Sequence, residues 1–322
     1  MKAIRVHAFG GPEQLKYEDV PPPVPKPGDA VVKIDAAGVN YIDVYHRIGV
    51  YKPPLPIAIG QEGAGTVSAV GDGVAHVKAG DRVAWTSVSG SYAESIAVPA
   101  DRLVPLPASV STRQGAAVML QGITAHYLAT STYTLKPGDT CLVHAGAGGV
   151  GLLLTQVARL KGARIISTVS TEEKAALSRG AGADHVILYT SQDFEEAVKA
   201  ITGGKGVDVV YDSVGQTTFA KGLNVLRRRG LMALYGQSSG AVPPFDPQVL
   251  MQKGSLFLTR PSIGHYTATR EELLQRSNEL FGWIVTGRLK LRIEFEYALK
   301  DAAEAHRALE GRRTTGKVLL IP

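Results

Sequence analysis

Three glycines spaced as G-x-G-x-x-G, Gly146, Gly148 and Gly151 in the stretch HAGAGGVG, imply chemistry more directly than any other residues of this chain. An apolar run from Thr140 to Val143 precedes them, and a helix-like run from Leu152 to Lys161 follows. A strand that passes through such a loop into a helix needs glycine for three reasons: a tight turn, close backbone approach to a pyrophosphate, and close packing of helix on strand. The anion then rests on the N–H groups that open the helix, here at Gly149, Val150 and Gly151. Dinucleotide binding is the predicted chemistry.

The end of the next strand selects the dinucleotide, because an acid about 20 residues on would hydrogen-bond the ribose 2'-hydroxyl of NAD. Here the sequence reads ARIISTVSTEEK, with Ser170 and Thr171 where the acid should stand and Lys174 within one helical turn. Two hydroxyls and an ammonium neutralise a 2'-phosphate that a carboxylate would repel, so NADP(H) is preferred. Ser170 serves equally as the cap of the following helix, a position at which a phosphate would also arrive. Tyr189, after the third strand, lies beside the same phosphate or the adenine, or packs. Beyond the fourth and fifth strands come DSVG and YGQSSG, where Val214, Gly236, Gln237 and Ser238 are candidates for lining ribose and nicotinamide, since ligands of open parallel sheets gather at those ends.

These residues need a frame. From about Gln121, five apolar strands alternate with four helical segments, TTFAKGLNVLRRR being the fourth, which predicts parallel βαβ units in a doubly wound sheet. The strands are continuously apolar, as expected where helices cover both faces. Over the first hundred or so residues, short apolar runs alternate with Gly/Pro turns and helix-length patterns are nearly absent, which predicts a strand-rich, barrel-like domain. After about Arg260 come two more helical stretches and a terminal strand, GKVLLIP, whose economical partner is the first domain. The expected division is residues 1–122 and 263–322 for the barrel-like domain and 123–262 for a dinucleotide-binding domain inserted between them.

Bulk properties agree. A chain of 322 residues exceeds the size at which a single core stops growing. Its net charge of +6 is spread out, with Arg227, Arg228 and Arg229 the densest run, and such runs are usually solvated helix ends or surface rather than a nucleic-acid groove. The lone cysteine, Cys141, forbids an internal disulfide and any multi-cysteine zinc site, which fits a reducing compartment. The N-terminus lacks a signal-peptide core and no apolar run reaches the roughly 18 residues of a membrane span, so a cytoplasmic, membrane-free protein is expected.

With AAGVNYIDVYHRIGVY, GQEGAGTVSAVGDGVAHVKAGDRV, HAGAGGVG, YDSVG, RRGLMALYGQSSG and KGSLFLTRPS, the chain resembles, end to end, the medium-chain dehydrogenase/reductase superfamily. Within it the sequence is similar to the quinone oxidoreductases, the zeta-crystallin-like branch. The resemblance implies a Rossmann domain inserted into a GroES-like catalytic domain, an α/β fold, and NADPH-dependent hydride transfer to quinones or electron-poor enones in a homodimer. Zinc enzymes of the superfamily carry a cysteine ligand in the first domain, a histidine where Gln61 stands, and four further cysteines. One cysteine cannot build either site, so a zinc-free branch is expected. Without a metal, the acceptor must itself be a good electrophile, and the enzyme chiefly orients it.

By the same resemblance, Asn40, Asp43, Tyr45 and Tyr51 would face the nicotinamide cleft from the first domain, and Thr124 and Tyr127 would approach it from the domain junction. Asn40 is a candidate to hydrogen-bond the acceptor oxygen or the nicotinamide ribose. Tyr45 and Tyr51 would stack on a planar ring and donate a hydroxyl, or else pack, and Thr124 would hold the carboxamide. His46 reads as a bystander. Arg260 and Lys317 would approach the cofactor phosphates or form interdomain ion pairs. An alkenal or enoyl reductase is the near alternative, and a non-catalytic nucleotide-sensing or RNA-binding protein the remote one.

Overall fold

A computed structural model of the chain describes residues 1–322. Two compact units result, Met1–Ile123 with Tyr266–Pro322, and Thr124–His265. In chain order the elements are β1 (Lys2–Val6), β2 (Leu15–Asp19), β3 (Asp29–Val39), α1 (Tyr41–Arg47), β4 (Ile57–Ala58), β5 (Glu62–Val70), β6 (Arg82–Thr86), β7 (Ser95–Pro99), β8 (Val104–Pro105) and α2 (Thr112–Tyr127). The second unit supplies β9 (Thr140–Val143), α3 (Gly149–Leu160), β10 (Arg164–Val169), α4 (Glu172–Gly180), β11 (His185–Leu188), α5 (Phe194–Thr202), β12 (Val207–Asp212), α6 (Phe219–Asn224), β13 (Leu226–Leu234), α7 (Gln248–Gln252) and β14 (Phe257–Thr259). The chain returns to the first unit with α8 (Arg270–Val285), β15 (Ile293–Ala298), α9 (Ala302–Glu310) and β16 (Lys317–Ile321). No helix is long and apolar enough to cross a membrane.

In the first unit the long strand β3 pairs with β5, β7 and β16. The sheet runs β15-β16-β3-β5-β6-β8, and β2-β1-β4 forms a smaller one. Terminal strand β16 pairs antiparallel with β3 and so returns to the first unit, the economical partner for it. Core side chains include Ile4, Val32, Ile34, Val83, Trp85, Leu103, Val318 and Leu320. Gly63 leaves room for the indole of Trp85, since a Cβ there would lie 2.5 Å from the ring. Helix α1 departs from the strand-only expectation. It is one short stretch, and its sequence signal is the Asn40–Asp43 pair: the Asp43 carboxylate turns back to accept the Asn40 N–H at 2.9 Å and so closes the first turn.

In the second unit all six strands are parallel, in the order β11-β10-β9-β12-β13-β14. Numbered within the unit this is 3-2-1-4-5-6, with the order reversing between β9 and β12, the fold of the dinucleotide-binding domains. One more strand is present than the sequence pattern suggested, β14, a three-residue piece. The expected helix over TTFAKGLNVLRRR stops at Asn224. Leu226 is already paired with Val207, and the three arginines occupy a bulge before Leu231 rejoins Val209. There Arg227 ion-pairs with Asp208 at 2.5 Å and the Arg229 N–H donates to Gly254 at 2.8 Å. The arginine run is thus a strand bulge, not a helix end. Cys141 lies fully buried on β9, and burial pushes its thiol pKa far up, leaving it an inert packing residue.

Candidate functional site

The glycine loop follows β9 directly. His144 carries the turn, its ring buried, 2.9 Å from the Thr168 hydroxyl and edge-on to Phe194 at 4.8 Å, with burial holding its pKa below the ordinary value. Ala145 then adopts a left-handed φ of 54° and Gly146 donates to the Thr168 carbonyl, which swings the chain back toward the second strand. The three glycines meet different surroundings. A Cβ on Gly146 would lie 2.8 Å from Ser167, and one on Gly151 would strike the Ala145 carbonyl, so both are required by the protein's own packing. A Cβ on Gly148 would meet one atom only, the Ala145 oxygen at 3.2 Å. Gly148 is also the N-cap of α3 and has no side chain to satisfy the helix start, so the N–H groups of Gly149, Val150 and Gly151 present the positive end of a twelve-residue helix. That is a cradle a side chain would fill and an anion fits.

Beside it, the ends of β10 and β11 bring Ser170, Thr171, Lys174 and Tyr189 together. Val169 pairs with Leu188, the Tyr189 N–H donates to Val169, and the Thr190 hydroxyl donates to the Ser170 carbonyl at 3.0 Å. Thr171, not Ser170, caps α4, its hydroxyl accepting the Lys174 N–H at 3.3 Å, because Ser170 sits in the bend between the end of β10 and that cap. The neighbouring acid Glu172 pairs with Arg179 at 2.5 Å. The loops after β12 and β13 interlock: the buried Asp212 carboxylate accepts from Val214 N–H, Gly215 N–H and the Thr218 hydroxyl at 2.7, 3.0 and 2.8 Å. Gly236 admits no Cβ, which would lie 2.5 Å from the Ser213 oxygen, and Ser238 N–H donates to that same carbonyl. Val214, Gln237 and Ser238 are left half-buried on this rim. Exposed Arg260 hydrogen-bonds the Leu234 carbonyl at the end of β13. Thr124 and Tyr127, on the last turn of α2, are buried.

In the first unit, α1 places Tyr45, mostly buried, against Tyr41 at 5.5 Å and against the exposed ring of Tyr51 at 6.1 Å. His46 stacks edge-on to Tyr51 at 5.7 Å, and burial lowers its pKa, so its ring is neutral. Gln61 donates to Ser89 at 2.5 Å and lies 3.5 Å from His46. These four rings form one aromatic cluster.

Three other candidates have different employment. Asn40 is 3 % exposed and every site on its amide is taken: the nitrogen donates to Gly38 and Glu62 at 3.3 and 2.9 Å, and the oxygen accepts from Gln121 and Lys317, each at 3.1 Å. Nothing on that side chain remains for an acceptor oxygen or a ribose. Lys317 is 3 % exposed and ion-paired with Glu62 inside the same unit, so it reaches neither the cofactor phosphates nor an interdomain partner. Asp43 is fully buried, accepting from Asn40 N–H and the Tyr92 hydroxyl through Oδ2, so it faces no cleft. The sequence reading passed over Glu62, Gln121 and Asp212. Only the place of Asp212 at a strand end, and of Glu62 inside GQE, hinted at them.

A parallel 3-2-1-4-5-6 unit with a glycine loop at its switch point, inserted in sequence between the two stretches of a mainly antiparallel unit, defines a medium-chain dehydrogenase/reductase. The family models agree, an alcohol dehydrogenase GroES-like domain matching residues 26–108 and a zinc-binding dehydrogenase domain matching residues 149–278. Quinone oxidoreductase 1 of Escherichia coli is 48% identical over 323 residues, 99% of each chain. The crystal structure of E. coli quinone oxidoreductase complexed with NADPH superposes with a TM-score of 0.98 over 100% of both chains. A 2-haloacrylate reductase from a Burkholderia species is 42% identical over 99% of this chain and 98% of its own, and the human quinone oxidoreductase 36% over 100% and 98%. The chain belongs to the quinone oxidoreductase family.

Proposed function

We propose that the chain is an NADPH-dependent reductase of quinones that works without zinc. The observation that carries the reading is kinship along the whole chain combined with a second strand that is followed by Ser170 and Thr171, with no acid at those two positions. NADPH, when bound, supplies the hydride that reduces the acceptor.

The chain's own part is to bind and orient. The first N–H groups of α3, opened by Gly148, take the pyrophosphate, while Gly146 and Gly151 hold the loop in shape. Ser170, Thr171 and Lys174 take the 2'-phosphate, with Tyr189 beside it and Arg260 as a further cation. Val214, Gly236, Gln237 and Ser238 line the ribose and nicotinamide, with Thr124 and Tyr127 contributing from α2. Tyr45 and Tyr51 hold the planar acceptor, and neutral His46 supports Tyr51 without transferring a proton. Asn40, Asp43 and Lys317 act behind these residues. Gln61, engaged with Ser89 and His46, and the single buried Cys141 support zinc independence. We read the protein as a cytoplasmic homodimer, as the family resemblance implies; light scattering on purified protein tests the dimer.

Likeness to a 2-haloacrylate reductase favours a second reading, an enone reductase on the same scaffold. Steady-state NADPH oxidation with naphthoquinone, phenanthrenequinone, a 2-alkenal and 2-chloroacrylate separates the two. Turnover of the quinones is expected. Turnover of the alkenes alone would replace the first reading by the second.

A further inference from the structure

A chain of buried polar groups runs through the first unit from the surface to the start of α1. Glu310 on α9 holds Arg47 through two hydrogen bonds of 2.7 and 2.9 Å. Arg47, with a side chain 1 % exposed, lies 3.0 Å from His306 Nδ1. His306 Nε2 lies 3.2 Å from the Tyr92 hydroxyl, which is 3.0 Å from Asp43 Oδ2. Donor chemistry fixes the direction of every link. A guanidinium only donates, so His306 Nδ1 accepts and the ring proton sits on Nε2. That proton goes to the Tyr92 oxygen, and the Tyr92 proton goes to Asp43. His306 stays neutral, its pKa pushed down to about 3 by burial and by the charge of Arg47. From Arg47 onward the donors therefore run in series toward the Asp43 carboxyl group, while Arg47 also donates the other way to Glu310, and Asp43 in turn closes the first turn of α1 through the Asn40 N–H.

Both ends of α1 belong to this chain, Asp43 at its start and Arg47 at its last residue. Tyr45 lies between them and Tyr51 packs on Tyr45. We propose that Tyr92 and His306 are positioning residues for the reductase: they hold Asp43 as the carboxylate that closes α1 and thereby keep Tyr45 and Tyr51 in register. This rests on the reading that those two tyrosines hold the acceptor.

The arrangement has a pH signature. Burial raises the Asp43 pKa to about 7, while Asn40 N–H, the Tyr92 hydroxyl and Lys317 on β16 pull it down and Glu62 on β5 pushes it up. Arg47, His306 and Glu310 act on it through the chain. A carboxylate accepts the two donors about twice as strongly as the neutral acid does, and the protonated acid would carry a hydrogen with no partner at Oδ1, which meets none in the fold. Quinone kcat/KM should accordingly rise with pH through about 7. In Tyr92→Phe the carboxylate loses one charge-assisted donor, so the rise should move up by about 1 to 2 pH units, with activity recovered on the alkaline side.

The experiment measures quinone kcat/KM against pH, KM for NADPH, and hydrogen exchange of residues 41–47 at fixed pH, for wild type, Tyr92→Phe, His306→Leu and His306→Gln. The glutamine keeps a donor for Tyr92 and an acceptor for Arg47, so it should restore the wild-type profile, whereas leucine shifts it as Tyr92→Phe does. KM for NADPH should stay constant and exchange of α1 should quicken in the two shifted variants. A loss of activity equal at every pH, or α1 exchange unchanged in Tyr92→Phe, would overturn the proposal, and Tyr92→Phe alone decides should His306→Leu fail to fold. Tyr51→Ala tests the acceptor site by itself: full quinone turnover there sinks that reading, and hydrogen exchange then still judges the chain.

Discussion

Replacing Glu62 by glutamine removes one charge and turns one acceptor into a donor at a point where three donors converge. The Lys317 ammonium and the Asn40 amide both donate to Oε2, and the Leu120 N–H donates to Oε1 at 2.6 Å, around a side chain of zero exposure. Glutamine can satisfy Leu120 with its single oxygen, but its NH2 group then faces an ammonium and an amide nitrogen. Lys317 is left as a buried cation with only the Asn40 oxygen, at 3.1 Å, to accept from it. Removing one partner of a buried pair costs about 3–5 kcal/mol, which for a unit of this size lowers Tm by on the order of 10 °C. Lys317→Met should cost a similar amount for the opposite reason, and the double variant should recover about 2 kcal/mol of the summed losses. Urea denaturation of the four proteins gives the cycle. NADPH titration of folded Lys317→Met should give a Kd within about twofold of wild type. A cost below about 1 kcal/mol for Glu62→Gln, the range of an exposed pair, refutes the buried-pair account. A tenfold loss of NADPH affinity in Lys317→Met returns that residue to the cofactor phosphates.

Further outcomes follow from the glycine loop and the strand ends. Gly148→Val should abolish NADPH binding, read by fluorescence titration, with little loss of stability, whereas Gly151→Val should lower Tm because its side chain meets the Ala145 carbonyl before any ligand arrives. Lys174→Ala should raise Kd for NADPH roughly tenfold or more while changing that for NADH little; equal weakening of both would put the 2'-phosphate elsewhere. The Asp43 carboxyl, raised from 3.8 to about 7, makes a contribution to stability that is fully present below its ordinary value and is lost as pH rises through about 7. Asp43→Asn should therefore flatten the difference in urea stability between pH 5 and pH 8, and an unchanged slope would show that another group sets it.

What could be read from the sequence was local. The glycine loop was legible because a turn between strand and helix tolerates few residues, and Gly146 and Gly151 do meet their own fold at contact distance. The parallel sheet was legible because apolar strands and helices alternate along it. Helix α1 was missed because seven residues span two turns, too few for a 3.6-residue period to stand out beside strands. The boundary at Asn224 was misjudged because a bulge of arginines carries no periodicity of either kind. The polar cluster was beyond reach for another reason. Lys317 meets Asn40 across 277 residues and Glu62 across 255, and Arg47 meets His306 across 259. The resemblance offered Asn40 and Lys317 as candidates for ligand contact; only the fold shows that they contact one another and Glu62.

Their placement also answers a question raised by the last strand. The first unit is built from two stretches of chain separated by the whole second unit, and the later one must rejoin β3 in a single register. In a strand with one buried face, alternation of apolar and polar residues sets register, because a slip of one residue would expose the core side. In β16 that signal is absent: Lys317 through Leu320 are all buried, and a slip would exchange one apolar side chain for another. What a slip would change is Lys317. With Val318 opposite Val39 and Leu319 opposite Gly38, its ammonium arrives at Glu62 and the Asn40 oxygen, over Gly38, where a Cβ would lie 2.5 Å from that ammonium. One step out of register would bury the charge without its partner and leave Glu62 without its cation, a penalty of about 3–5 kcal/mol that an apolar exchange cannot impose. The pair is therefore better understood as the element that fixes where the chain rejoins itself than as a source of net stability, and the asparagine that shares it also opens the helix carrying Tyr45.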